Sequence, residues 1–320
     1  MLTSACDGGN IDAGRDLPHG SLPVDERNPV ILANDGPTDN WAGEYAMLLA
    51  NSGGPPLAGI IVNPSSYWKD LSESVAGWNE MIMAARMSGL RNIPDATPSP
   101  ADPLVRPPDS KIESTKPNNS AGAQLILQLS TRLSLPWRPV VVVTGSRLTD
   151  VADAYLMDHT VADRVVVVAS LGSADTNGGG AMGWPNGELD AWADWIVGQR
   201  FRYVQVSGYY DQTGDVTMAS AANLPVNAFG TWMAGKVSKL FKTSMASDQI
   251  ALLAVALPAF VVPTAVGRTT VDTSAAFDST TGPPLLAQMD GRVWIAPSCA
   301  GAMAGDWLWK VLQDPHTFRP

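Results

Sequence analysis

Asp35 and Asp39 stand four residues apart across a Gly36-Pro37 turn. The apolar run Val30-Ile31-Leu32-Ala33 leads into them, and a helical pattern begins at Trp41. Two carboxylates held that close across a turn can share one hard cation, and the carboxyl ends of strands are where open α/β sheets place their ligands. Other polar residues recur at strand ends. Asn63 follows the apolar Leu57–Val62, and Thr144 follows Val140–Val143. A glycine-rich segment from Gly172 to Gly183 carries Asp175 and Asn177, with Asn186 just beyond it, and Asp248 opens an apolar helical pattern that runs to Leu257. Carboxylates joined by carbonyl and amide oxygens form a donor set for Ca²⁺ or Mg²⁺, not for zinc, because no His or Cys accompanies them. Taken singly, each residue also has a simpler role. Asp35 and Asn177 suit turns, Asp39 could cap the helix after it, and Asp248 suits a helix start on electrostatic grounds. Trp184 alone reads as packing.

These residues converge only if a scaffold brings the strand ends to one rim. The chain supplies short, largely β-branched runs at Val30–Ala33, Leu57–Val62, Pro139–Val143, Arg164–Ala169 and Tyr203–Val206. Helical patterns alternate with them: Trp41–Ala50, Ser65–Ser88, Gln124–Leu133, Leu148–Met157 and Leu189–Val197. Continuous apolar strands alternating with helices predict an α/β fold, a mostly parallel open sheet covered by helices on both faces. Ile93 to Asn119 is rich in Pro, Asp and Ser and reads as a long loop. Past Val206, helices are expected at Lys236–Phe241, Ser247–Leu257 and Ala302–Leu312, and strands at Phe260–Val262, Thr269–Asp272 and Val293–Ala296. No stretch from residue 27 to 320 has the composition of an interdomain linker, so residues 27–320 read as a single large domain.

Composition sets the outer bounds. A hydrophobic fraction of 45% against 16% charged residues supplies a large core. A net charge of −10 with a pI near 4.7 excludes a nucleic-acid backbone as the natural partner. No apolar run reaches the ~18 residues of a membrane span. Two cysteines make no disulfide framework, and Cys299 reads as a buried thiol. Cys6 follows Leu2-Thr3-Ser4-Ala5 and precedes a polar stretch reaching about Asp25. This resembles a processed bacterial lipoprotein junction, with residues 1–26 as a flexible tether and the protein anchored in the cell envelope or periplasm. The alternative is a frayed tail with an incidental cysteine on a cytoplasmic protein.

The strand-end motifs, in their order, resemble those of the inosine-uridine-preferring nucleoside hydrolases. That family opens with Asp-x-Asp-Pro-Gly-x-Asp-Asp-Ala after a strand; here the segment is Ala33-Asn34-Asp35-Gly36-Pro37-Thr38-Asp39-Asn40-Trp41. Its second strand ends in Asn, as does Ile60-Ile61-Val62-Asn63. Its Thr-Gly-Gly-Leu-Thr-Asn appears as Thr144-Gly145-Ser146-Arg147-Leu148-Thr149-Asp150, with one extra residue. Asn177, then Asn186-Gly187-Glu188-Leu189-Asp190, and Ser247-Asp248-Gln249-Ile250 complete the series to the C-terminus. The resemblance implies a Ca²⁺-dependent N-glycosidase acting on a small ribosyl compound through an oxocarbenium-like transition state. It assigns Asp35 as base and metal ligand, with Asn40, the Thr144 carbonyl and Asp248 as further ligands. Asp39, Asn63, Asn177 and Asn186 would hold sugar hydroxyls. Homo-oligomers are common in that family.

The departures are specific. The family's second acid of the Asp-Asp pair is Asn40, which lowers the charge on an ion there. The first Asp of the motif is Ala33. The Glu expected two residues before Asn186 is Trp184, which reshapes the sugar's far end, and the residue before Asp248, often a proton-donating His, is Ser247. None of His19, His159 and His316 is placed to act as that acid. Two functions remain open: a hydrolase of altered specificity, or a relative that binds a sugar or nucleoside without hydrolysing it.

Overall fold

Runs of valine and isoleucine build the sheet. In a computed structural model of the chain they form β1 (Val30–Asn34), β2 (Leu57–Val62), β4 (Val140–Thr144) and β5 (Val165–Gly172). The structure describes residues 22–36, 42–65, 68–172, 188–207, 222–240, 248–258, 265–271, 285–296 and 309–314. The remaining strands are β3 (Ala96–Pro98), β6 (Arg202–Ser207), β7 (Ala265–Val271) and β8 (Leu285–Ala296). They order as β3-β2-β1-β4-β5-β6-β8-β7. All neighbouring pairs are parallel except β7 with β8. The chain steps outward from β1 to β3 in one direction, then from β4 to β6 in the other. The order therefore reverses between β1 and β4, the crevice where open sheets bind ligands.

Alternate strand residues feed two cores. Val30, Leu32, Ile60, Val62, Val141 and Val143 face α1 (Ala42–Ser52) and α2 (Leu71–Met87). The same face takes α7 (Ala228–Leu240) and α8 (Gln249–Ala256). Ile31, Ala33, Ile61, Val140, Val142 and Val167 face α3 (Ala121–Leu133), α4 (Thr149–Met157), α5 (Val161–Arg164) and α6 (Ala191–Arg200). Every residue of β1 and β4 is buried. At roughly 1.5–3 kcal/mol for each fully buried aliphatic side chain, these two strands make a stiff base for whatever stands at their ends.

The structure differs from the sequence reading in several places: α2 starts at Leu71 behind its Asp70 cap and not at Ser65, and α7 starts at Ala228 and not at Lys236. The long loop contains the short edge strand β3 and a 3₁₀ turn at Ile112–Ser114. Leu22 and Val24, expected in the tether, are each 5% exposed and join the core beneath α1 and α2. Cys6, Cys299 and the expected strand at Phe260–Val262 lie outside the described residues, as does most of the closing helix, of which 309–313 is helical. Among the described residues no helix is long and apolar enough to cross a membrane.

Carboxylates on α4 and at the start of α6 fasten the long loop to the helical layer. Asp153, on α4, accepts from the backbone N–H of Asn118 at 2.7 Å and of Ser120 at 2.7 Å, just ahead of α3. Asp190 accepts from Leu104 N–H at 2.8 Å and from the Thr149 hydroxyl at 2.7 Å while capping α6 through Ala193 N–H. Satisfying buried backbone donors this way lets a proline-rich segment lie against the rim instead of in solvent.

Candidate functional site

Asp35 leaves the carboxyl end of β1 and is 7% exposed. Its Oδ1 accepts from Gly36 N–H at 2.8 Å, and Ser65, just past β2, donates its hydroxyl to the carboxylate. Its own carbonyl accepts from the Trp78 indole N–H at 3.2 Å, on α2. The Trp68 indole lies so close to Gly36 that a Cβ there would collide with it. Burial raises the Asp35 pKa above the usual carboxylate value, opposed first by the Ser65 bond and then by the backbone donors and Arg147.

Asp248 reaches the same rim from a different element. It precedes α8, yet its side chain makes no capping hydrogen bond to that helix. It is turned toward the sheet and 4% exposed. Its carboxylate rests on Gly145, where any Cβ would overlap it. Asn34, the residue before Asp35, points its amide at Asp248 Oδ2 at 3.4 Å and uses its Oδ1 to accept from Asp35 N–H at 2.8 Å. Gly145 N–H in turn donates to the Ala33 carbonyl at 3.1 Å. The Asp248 carboxylate thus stands over Gly145 at the end of β4 and faces Asn34, the residue before Asp35, at the end of β1, across the point where the strand order reverses.

Asn63 ends β2 and is 1% exposed, with its amide engaged on both sides. Its Nδ2 donates to Asp150 Oδ2 at 3.2 Å, and its Oδ1 accepts from the Ser146 hydroxyl. Asp150 Oδ1 also accepts from the Ser99 hydroxyl at 2.6 Å, and Ser99 Oγ receives Gly122 N–H at 3.1 Å. Asn63 therefore ties β2 to the loop after β4, with its amide orientation set by Asp150. Burial raises the pKa of Asp150 and of Asp190 despite these donors.

Arg147 stands in the same loop and is 7% exposed. Its Nη2 donates to the Ala101 carbonyl, while its Nε finds no partner among the described residues. Burial lowers its pKa; Asp150, Asp190, Asp102 and Asp35, in that order, favour its charge.

The residues present fit a hard cation in part. Asp35, Asp248 and the Thr144 carbonyl are all oxygen donors of the right chemistry on one rim. Among the described residues, no three His, Cys, Asp or Glu side chains cluster tightly enough to hold a metal by themselves. Asp39, Asn40, Asn177, Trp184, Asn186 and Ser247 lie outside the described residues. His159 is described and is remote: it stacks on Tyr155, centroids 4.6 Å apart, in the connection entering the amino end of β5, opposite the rim. Sequence reasoning missed Asn34, Ser65, Ser99, Asp150 and Arg147 as members of the site. One signal was available: Arg147 is the only lysine or arginine between Arg138 and Arg164.

Solved structures resemble the whole domain. An inosine-guanosine nucleoside hydrolase aligns with a TM-score of 0.65 at 14% identity, covering 91% of this chain and 99% of the other. The plant nucleoside hydrolase PpNRh1 aligns at 0.61 and 14%, covering 91% and 99%. The fold is that of the nucleoside hydrolases. An inosine-uridine preferring nucleoside hydrolase from Bacillus anthracis aligns at 0.60 and 12%, over 89% and 99%. No protein-family model matches the chain, and no curated protein matches it by sequence. At 12–14% identity the likeness is one of fold.

Proposed function

We propose that the protein is a metal-dependent N-glycosidase that cleaves the bond between a ribosyl group and its base, with a specificity altered from that of ordinary nucleoside hydrolases. The observation that supports the reading is the position of the Asp248 carboxylate, which makes no cap to its own helix and instead rests on Gly145 facing Asn34, the residue before Asp35. An acid that served only the helix would stay on the helix. The donor set is Asp35, the Thr144 carbonyl, Asp248 and, from the motif, Asn40, with Ca²⁺ as the expected ion. When bound, such an ion would polarise a water and orient vicinal hydroxyls.

The chain's own groups do the rest. The Asp35 carboxylate takes a proton from the attacking water as the water oxygen bonds to the anomeric carbon. The carbon–nitrogen bond breaks and its electron pair leaves with the base. Ser65 and Gly36 hold the carboxylate in one rotamer for that transfer, which saves the cost of orienting it during reaction. Asp39, Asn177 and Asn186 are assigned to the sugar hydroxyls and Trp184 to the sugar's far end. Asn63 serves through its fixed amide. Ser247 stands where the motif often has a proton-donating His, so the reading favours a base that departs without strong protonation.

The binding-only reading has one feature in its favour: Asn40 brings no charge to the ion. A nucleoside panel separates the two. Ribose release by the wild type, lost by at least ~100-fold in Asp35→Ala, is the expected result for a general base. Equal background from both proteins, with a nucleoside still bound in calorimetry, would leave binding without hydrolysis.

A further inference from the structure

The reading above leaves Arg147 without a role. It lies in the Thr144–Asp150 segment, which has one residue more than the motif it resembles, and its side chain runs from the loop after β4 to the Ala101 carbonyl, past the end of β3. In the sheet order β1 and β2 lie between β4 and β3, so the bond joins loops on either side of the strands that end in Asn34 and Val62. Asp35, Asp102, Asp150 and Asp190 all feel its charge. Among the described residues, no carboxylate comes within ion-pair distance of it. The nearby acids are occupied otherwise: Asp150 by Ser99 and Asn63, Asp190 by Leu104, Thr149 and Ala193. Those donors are neutral, so the acids keep their charge, and among the described residues Arg147 offsets it through space and not in a contact ion pair. A guanidinium stays protonated under any ordinary condition. An anionic ligand is a poor match for its unpartnered Nε, because the anion would face the same four carboxylates.

We propose that Arg147 is a resident cation of the crevice, balancing the carboxylates at the β1/β4 rim and holding the affinity for a divalent ion low. The proposal rests on reading the rim as a cation site. A divalent ion at Asp35 and Asp248 would sit in the field of a fixed positive charge, at an edge where the dielectric is below that of water. With Asn40 in place of an acid, the site loses charge twice, once by removal of an anion and once by addition of a cation. Ligand charge is what tunes calcium affinity between tight and millimolar sites.

Calorimetric titration of Ca²⁺ into the full chain tests this with three proteins: wild type, Arg147→Met and Arg147→Lys. The methionine keeps much of the volume and removes the charge; the lysine keeps the charge. The expected result is Ca²⁺ binding about tenfold tighter in Arg147→Met, and within about twofold of wild type in Arg147→Lys, the scale of one charge felt through a partly solvated edge. Equal affinity of wild type and Arg147→Met overturns the proposal, as does equal tightening in both variants, which would make space the cause. Should Arg147→Met fail to fold, the wild type alone decides. A melting temperature raised only at millimolar Ca²⁺ supports a resident cation, and saturation in the micromolar range overturns it. Absence of binding in all three folded proteins would bring down the cation-site reading itself, an outcome distinct from equal finite affinities.

Discussion

The Asp35 carboxylate accepts from Gly36 and Ser65 while its backbone carbonyl accepts from Trp78, so the turn after β1, the segment after β2 and α2 all fix one residue. A turn aspartate needs none of this. The Asp150 network is of the same kind: a 2%-exposed carboxylate shared by Ser99 and Asn63, with Gly122 packed against it. Replacing it with alanine removes the acceptor of Ser99, Ser120 and Asn63 and opens a cavity. Asp150→Ala is expected to lose about 2–4 kcal/mol in urea unfolding, and Asp150→Asn clearly less, since an amide oxygen still accepts. Equal losses would show that packing matters and the hydrogen bonds do not. At this scale Asp35 and Asp248 were legible in the sequence as acids at element ends. Asn34 and Asp150 were not, because residue type and spacing do not say which way a side chain turns. Asn34 turns to Asp248, 214 residues away in sequence.

Among the elements, the contact of α8 with β4 decides whether Asp248 reaches the rim, and Gly145 is where they meet. Any Cβ at Gly145 overlaps the Asp248 carboxylate. Gly145→Ala must therefore displace Asp248 or shift the start of α8. The expected outcome is a loss of about 1–3 kcal/mol, as for other overpacked sites, together with weaker Ca²⁺ binding than wild type in the same calorimetry. A variant that lost stability but bound Ca²⁺ as before would remove Asp248 from the donor set. Most elements were legible because buried parallel strands read as unbroken β-branched runs, as at Val140–Val143 and Val165–Val168. β3 was not. It is three residues long, contains Pro98 and lies at the edge, and it is a strand only because Ile60–Val62 pairs with it. The fastening of the long loop by Asp153 and Asp190 was equally invisible, since those bonds run to backbone N–H groups, which have no letter of their own.

Across the whole molecule, an acidic chain has buried several of its acids. The net charge is −10, and burial raises the pKa of Asp150, Asp190 and Asp194 alike. Asp194 is the cleanest to test, because it lies on α6, where the Tyr203 hydroxyl donates to it at 2.8 Å. Its pKa is pushed up to about 6, chiefly by burial, against the Tyr203 bond and with a smaller contribution from the charge of Asp190. The sign follows from which state holds more protons. Between the ordinary carboxylate value of 3.8 and about 6, the folded protein keeps the Asp194 proton and the unfolded chain has released it. Folding is favoured most below that interval, and stability falls as the pH rises through it. At 1.36 kcal/mol per pH unit, the difference between 3.8 and about 6 corresponds to a loss on the order of 3 kcal/mol. Asp150 and Asp190 shift in the same direction and steepen the fall. Asp194→Asn keeps an acceptor for Tyr203 and carries no charge to bury. Urea unfolding from about pH 4 to about pH 7 is expected to show the wild type losing stability relative to Asp194→Asn, by that order of magnitude. Parallel curves for the two proteins would mean that Asp194 titrates normally and that its burial is relieved in solution.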